Sequence, residues 1–372
     1  MNGKILFYLP PRLGIGGITK AICFVANTAA QNGYDAVVVG PINKQDTLTI
    51  DERIHWYNYN AFGASVEQKN QITRFGVRLK ALIALRFILR KERPNLVVAF
   101  GADNVRFVLA ATIGLNTKVL GSERGNPWRY SAKYKRIYQG AYLKCDKVVF
   151  QTEEAMSCFN NTLREKGVII PNPAIQRVGD AEAYAGPRRP CIVLCGSLTH
   201  DKNFALAIDA FAKVAGKYDE YEMRIYGAGQ LHEDLQMQIN TRNLQNKIFI
   251  CNPQATVFQN EKNCSMFILS SQEEGMPNVL LEALALGIPC ISTDCPSGGA
   301  RLVMGGGQRG LLVPNNDVDA LASAILLYIE RPDIRDQYSK AALTVLEEFS
   351  ASRIADMWCC LLAECLGKKR VC

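Results

Sequence analysis

Two carboxylates eight positions apart, Glu274 and Glu282, frame the stretch of the chain best suited to chemistry. Residues 270–303 (SSQEEGMPNVLLEALALGIPCISTDCPSGGARLV) read as a strand end, a loop, a short helix, a strand and a glycine-rich loop. Pro277 is expected at the first helical position, where its missing N–H costs nothing. Gly287 stops the helix and Pro289 prevents its return. Val279 to Leu286 make this helix of about ten residues apolar nearly all round, which predicts burial. Glu282 is the exception. A carboxylate on a buried helix needs a partner, and an ionised one only accepts hydrogen bonds, so vicinal sugar hydroxyls suit it. An ion pair with Arg301 or with a lysine elsewhere is the alternative. Gly275 and Met276 lead into the helix N-terminus, whose free N–H groups suit a phosphate or a polar sugar edge. A second candidate is the turn containing Gly14, Gly16 and Gly17, between the first strand and the first helix. There Thr19 breaks the G-x-G-x-x-G pattern, and the next strand ends in Gly40-Pro41 with no acid for a ribose. Both features argue against NAD.

The run Glu274-Gly-Met-Pro-Asn-Val-Leu-Leu-Glu282, followed by Ala283 and Gly287-Ile-Pro289, resembles the signature of family 4 retaining glycosyltransferases of the GT-B fold. Further landmarks follow in the family's order, and the resemblance covers nearly the whole chain. It implies an α/β protein of two Rossmann-like domains facing across a cleft. It also implies a nucleotide-sugar co-substrate, a UDP-sugar by expectation, with no cofactor and no metal. Matched residue by residue, Glu282 would hold the ribose. Glu274 and the backbone of Gly275, Met276, Pro277 and Asn278 would hold the sugar. The segment Gly196-Ser-Leu-Thr-His-Asp-Lys-Asn203 is similar to the family's Gly-Arg-Leu…Lys-Asn. Lys202 matches, and is implied to neutralise the departing diphosphate. Ser197 stands where the family has arginine, leaving one cation fewer. Gly227 and Gly229 match the family's Gly-x-Gly, and Gly16 and Gly17 its first-domain glycine turn, which approaches the donor diphosphate or the acceptor. Residues 122–127 follow a strand's carboxyl end, where open α/β sheets bind ligands. The histidine common there is absent, and Glu123 and Arg124 are expected either to contact substrate or to form a local salt bridge. The loop Cys295-Pro-Ser-Gly-Gly299 is expected to close over the nucleotide.

The implied activity is retaining, metal-independent hexosyl transfer to a hydroxyl of a lipid-linked or cell-surface glycan, as in bacterial surface polysaccharide or lipopolysaccharide synthesis. A GT-B nucleotide-sugar epimerase and a non-catalytic nucleotide-sugar-binding protein are the alternatives. Asp317-Val-Asp319 matches the D-x-D of metal-dependent glycosyltransferases, but it immediately precedes a helix, where Asp is a favoured cap.

The elements that must position these residues form two alternating α/β series, the pattern of parallel sheets. The expected division is a first domain over residues 1–171, a linker over 172–189, a donor domain over 190–349, and a last helix within 350–372 crossing back onto the first domain. A length of 372 residues suits two domains, and 48% hydrophobic with 21% charged residues suits a water-soluble globular protein. No apolar run approaches the roughly 20 residues of a membrane span, and the N-terminal apolar run is too short for a secretory signal. The 13 cysteines, without C-x-x-C and with three histidines in the chain, read as reduced buried thiols. Residues 1–171 hold 24 Lys+Arg against 12 Asp+Glu, a net +12, whereas the remainder is net −4. The excess lies in a basic amphipathic helix over 71–93 and in the basic, aromatic stretch 128–147. With no nucleic-acid module present, an anionic membrane surface is the expected partner. A cytoplasmic enzyme peripheral to the inner membrane face follows.

Overall fold

The computed structural model describes residues 3–9, 17–40, 50–58, 71–174, 184 and 186–368. The chain divides into two compact units, one formed by 1–171 with 352–372 and the other by 172–351.

In the first unit seven strands form one parallel sheet: β1 Lys4–Tyr8, β2 Asp35–Gly40, β3 His55–Asn58, β4 Leu96–Phe100, β5 Lys118–Ser122, β6 Lys147–Phe150 and β7 Gly167–Ile169, in the spatial order β3-β2-β1-β4-β5-β6-β7. The inner strands are continuous apolar runs because both faces of the sheet are covered. One face carries the helices Gln71–Glu92, Ala102–Thr112 and Ala132–Tyr142. The other carries Gly17–Gln31 and the last helix, Ala351–Cys365. That last helix drives Ile354, Trp358, Leu361 and Leu362 into the core against β1 and β4, each at most 3% exposed. Burying each such side chain stabilises by roughly 1.5–3 kcal/mol, an upper bound set by an extended unfolded chain. Lys118 Nζ donates to the Cys365 carbonyl at 2.7 Å and closes its C-terminal end.

The second unit repeats the plan with six strands: β8 Arg189–Cys195, β9 Glu222–Tyr226, β10 Ile248–Cys251, β11 Cys264–Leu269, β12 Cys290–Thr293 and β13 Leu311–Val313, ordered β10-β9-β8-β11-β12-β13 and all parallel. In each unit the strand order reverses once, between β1 and β4 and between β8 and β11. Loops leaving the carboxyl ends of strands at such a switch point form the ligand crevice of doubly wound sheets. The double Rossmann-like architecture expected from the resemblance is therefore present.

Candidate active site

The site in the second unit is built from the two loops at its switch point. The loop after β8 carries Ser197 and Lys202; the loop after β11 carries Ser270 to Pro277. Lys202 Nζ lies 2.6 Å from Glu274 Oε1, with the two side chains 22% and 11% exposed. The same carboxylate oxygen accepts from Ser271 Oγ at 2.8 Å. Ser270 Oγ donates to the Lys202 carbonyl at 3.0 Å, and Gln272 N to the Asp201 carbonyl at 2.8 Å. The sequence-matched lysine and first glutamate, 72 residues apart, thus form one charge-assisted pair whose backbones are stitched together.

Glycines permit this close approach. A Cβ at Gly227 would sit 2.1 Å from the Gly196 carbonyl oxygen, and one at Gly229 would sit 2.4 Å from that of Leu198. Leu198 N donates to the Ala228 carbonyl, and Leu231 N to that of Leu198. Gly227 and Gly229 therefore carry a packing role, seating the β9 turn on the β8 loop. Ser197 is exposed.

The loop 295–299 overturns its sequence expectation. It does not serve as a flap. Cys295, Ser297 and Gly299 are buried. Ser297 Oγ donates to the Glu274 carbonyl and, at 3.2 Å, to that of Gly275. A Cβ at Gly299 would lie 1.7 Å from the Gly275 carbonyl oxygen. Thr293 Oγ1 and Cys295 Sγ both donate to the Ser271 carbonyl, at 2.5 and 3.1 Å. Burial pushes the Cys295 thiol up to about 12, so it stays protonated and can donate. This segment is the floor that holds the Glu274 turn.

The helix after that turn spans Asn278–Ala285, shorter than expected, and Pro277 is its N-cap with φ −75° and ψ 109°. Proline pre-sets that extended entry without occupying a helical position. Met276 points inward, 5% exposed in the apolar core of the unit, so only its backbone remains for a ligand. Asn172, expected only as the first residue of the linker, pins this turn. Its Nδ2 donates to the Met276 carbonyl at 3.2 Å and to Asn278 Oδ1 at 2.7 Å, and its N–H points to Met276 Sδ at 3.0 Å. Glu282 is half-buried one helical turn further on. Arg301, the ion-pair candidate considered for it, binds Asp294 at 2.5 Å. Asp317 caps the helix Val318–Glu330 through Ala320 N at 2.8 Å, and Asp319 pairs with Lys213. The D-x-D pair is thus engaged by the fold.

In the first unit, Gly16 lies outside the described residues and Gly17 opens its helix, exposed. Of the two roles expected for Glu123, substrate contact or a local bond, the structure displays local bonds. It is 2% exposed, and both its oxygens are occupied. Oε1 accepts from the Arg124 and Gly125 N–H groups at 2.9 Å; Oε2 accepts from Tyr130 and Tyr142 hydroxyls at 2.9 and 3.1 Å. Burial raises its pKa, with those donors opposing. The carboxylate ties the β5 loop to Tyr130 and, through Tyr142, to the helix Ala132–Tyr142. The Arg124 guanidinium stacks 4.2 Å from the Phe100 ring centroid and 5.7 Å from that of Trp358. Burial lowers its pKa, with the Glu123 charge opposing.

Residues 183–345 match the family described as glycosyl transferases group 1. An uncharacterized glycosyltransferase of Haemophilus influenzae is 24% identical over 95% of this chain and 98% of its own length. A Campylobacter jejuni enzyme, GalNAc-alpha-(1->4)-GalNAc-alpha-(1->3)-diNAcBac-PP-undecaprenol alpha-1,4-N-acetyl-D-galactosaminyltransferase, is 26% identical over 77% of this chain and 79% of its own. Among solved structures, a mutant of S. aureus TarM in complex with Fondaparinux, alpha-GlcNAc-glycerol and UDP superposes with a TM-score of 0.77, at 14% identity, over 96% of this chain and 99% of that one. The fold is GT-B in class. The family match and the relatives together support a glycosyltransferase.

Proposed function

We propose that this chain is a retaining, metal-independent hexosyltransferase that moves a sugar from a UDP-sugar to a hydroxyl of a lipid-linked or cell-surface glycan. The observation that carries the reading is the Lys202–Glu274 pair, set at the switch point of the second sheet and followed eight positions later by Glu282. Lys202 supplies the cation for the leaving diphosphate. Glu274, held by Ser271, orients that ammonium and accepts from a sugar hydroxyl. Glu282 accepts from the ribose hydroxyls. The backbone from Gly275 to Asn278 lines the sugar. No side chain at the site is an evident covalent nucleophile, so the acceptor hydroxyl attacks on the face the diphosphate leaves, giving up its proton to the phosphate. Similarity to enzymes whose names specify undecaprenol-linked acceptors and bound UDP supports the acceptor and donor classes. A cytoplasmic protein peripheral to the inner membrane face fits that acceptor.

The exposed Ser197 in place of a second cation favours one rival, a protein that binds the donor without turning it over. A panel of UDP-, GDP- and ADP-sugars in a thermal-shift assay, with and without EDTA, separates the readings. A saturating UDP-sugar at ~100 times its Kd adds about 2.7 kcal/mol, and the shift should be indifferent to EDTA. Glu282→Ala should weaken donor binding and Glu274→Ala should lower turnover. A shift without transfer to any polyprenyl-linked acceptor would establish the binding protein instead, and conversion of donor with no acceptor present would establish an epimerase.

A further inference from the structure

Helix Gln71–Glu92 buries one apolar face, with Ala81, Ala84, Leu85, Ile88 and Leu89, against the first sheet. It also carries a second apolar stripe. Leu79, Ile83 and Phe87 are 47%, 62% and 59% exposed. Their four-residue spacing lines them along one outward face, a row of about 12 Å at 1.5 Å per residue. Ile113, 70% exposed, extends the patch from the end of the neighbouring helix. It is held alongside by Arg86, whose Nη1 donates to the Ala111 and Ile113 carbonyls at 2.8 Å each. Exposed cations flank the stripe: Arg78, Lys80, Arg90 and Lys91. The one acid of the helix, Glu92, is already engaged by Lys4 at 2.7 Å and by the Tyr57 hydroxyl at 2.5 Å. Large apolar side chains in water, rimmed by one sign of charge, mark an interaction surface.

We infer that this face of the first unit docks on an anionic lipid surface, with Leu79, Ile83, Phe87 and Ile113 entering between the headgroups and the flanking cations bound to lipid phosphates. Charge complementarity selects the occupant. A second copy packed by a two-fold axis would bring two like-charged faces together, with the cations around Arg78, Lys80 and Arg90 of one copy near those of the other. No helix of the described residues is long and apolar enough to cross a membrane, so attachment through this face would be interfacial. The inference is independent of the sugar-transfer reading, because it is tested with neither donor nor acceptor present.

The experiment is flotation of the full chain with vesicles of phosphatidylcholine alone or with phosphatidylglycerol, across a salt series. The wild type should float with the anionic vesicles only, and release as the screening length falls from ~10 Å at 0.1 M to ~3 Å at 1 M salt. Ile83→Ser/Phe87→Ser should weaken binding by about tenfold per side chain. Lys80→Glu/Arg90→Glu should abolish it at low salt. All four positions are exposed, so melting midpoints should match the wild type, and circular dichroism checks this. Ile83→Trp should show blue-shifted emission quenched by brominated acyl chains. Three results would overturn the inference: equal flotation of the wild type and both double variants, a dimer in solution that Ile83→Ser/Phe87→Ser dissolves, or RNA binding as tight as vesicle binding.

Discussion

Removing Lys202 and Glu274 singly and together distinguishes a catalytic pair from a structural staple. At an effective dielectric near 20, unit charges about 3 Å apart attract by roughly 5–6 kcal/mol. Most of that offsets the desolvation of two partly buried ions. The net coupling should be about 1–3 kcal/mol, towards the lower end because Lys202 keeps 22% of its side chain in water. Lys202→Met leaves Glu274 charged with Ser271 Oγ as its remaining hydrogen-bond donor in this cluster. A loss near 2 kcal/mol would lower the melting midpoint of a 180-residue unit by roughly 4–8 °C. Adding Glu274→Gln removes the stranded charge and should restore most of that loss. Turnover should behave differently. Withdrawing the group that meets the developing diphosphate charge costs about 10²–10³ in kcat, and the second substitution returns none of it. Initial rates with UDP-sugar and a polyprenyl-linked acceptor, alongside melting curves, read both quantities on the same four proteins. If the double variant recovers turnover together with stability, the pair is only a staple and the assignment of Lys202 is wrong. A Lys202→Met enzyme within threefold of wild-type kcat would refute it as directly.

Asn172→Ala removes two side-chain hydrogen bonds from the Met276–Asn278 turn, each worth about 0.5–1.5 kcal/mol net. It should raise the donor KM by about tenfold with a smaller effect on kcat. Asn172→Asp should not rescue it, because a carboxylate cannot donate to the two oxygens concerned. Glu261 is 3% exposed between Arg189, Arg224 and Tyr226. Burial would raise its pKa, but the Tyr226 and Arg224 hydrogen bonds and the arginine charges hold it below the usual carboxylate range. Its contribution is therefore complete above the unfolded value near ~4.3 and is lost as pH falls through the lower folded value. Glu261→Ala should cost about 3 kcal/mol at pH 7, the low end for a broken buried pair because both arginines keep some water contact. It should also flatten the acid limb of a plot of Tm against pH; an unchanged limb would remove this argument. Gly299→Ala should destabilise the second unit and weaken donor binding, since its methyl would meet the Gly275 carbonyl at 1.7 Å. Gly140→Ala, on a helix face with nothing within 4 Å, should be neutral or stabilising by about 1 kcal/mol.

Much of this architecture was legible because parallel strands covered on both faces announce themselves as unbroken apolar runs. Val37–Val39, Leu96–Phe100 and Cys191–Leu194 could be nothing else. Strand β3, His55–Asn58, was not read. It is an edge strand with no fully buried residue, so its sequence carries neither an apolar run nor strict alternation. The two glutamates and Lys202 were found through the motif they match, but their pairing was not, since it is set by the adjacency of β8 and β11 and not by any local spacing. Glu123 was left between a substrate role and a local salt bridge for a related reason. Its position after a strand end suggested substrate, while the two tyrosines that enclose it arrive 7 and 19 residues later, Tyr130 just before the helix Ala132–Tyr142 and Tyr142 at its end. The basic, aromatic stretch 128–147 splits by face. Tyr138 and Tyr142 point into the core, whereas Trp128 and Tyr134 remain exposed. Composition alone does not assign those faces; the helical register does.

The glycines explain why the loop 295–299 was mistaken for a flap. Glycine permits both flexibility and contact, and a sequence does not distinguish them. Here contact wins: Gly227, Gly229 and Gly299 each stand where one backbone meets another's carbonyl oxygen. The Glu274 turn is consequently held from three sides, by Asn172, by Ser297 and by the β8 loop through Lys202. A turn held in this way cannot move far to admit a ligand, so the adaptable element of the site is the lysine side chain itself. A neutral sugar offers Lys202 no charge to replace that of Glu274. A diphosphate does, and it can share the ammonium without displacing the carboxylate. On the proposed reading, the resting ion pair therefore discriminates by charge before any sugar contact forms. Free hexoses should accordingly leave the melting midpoint unchanged at concentrations where UDP raises it.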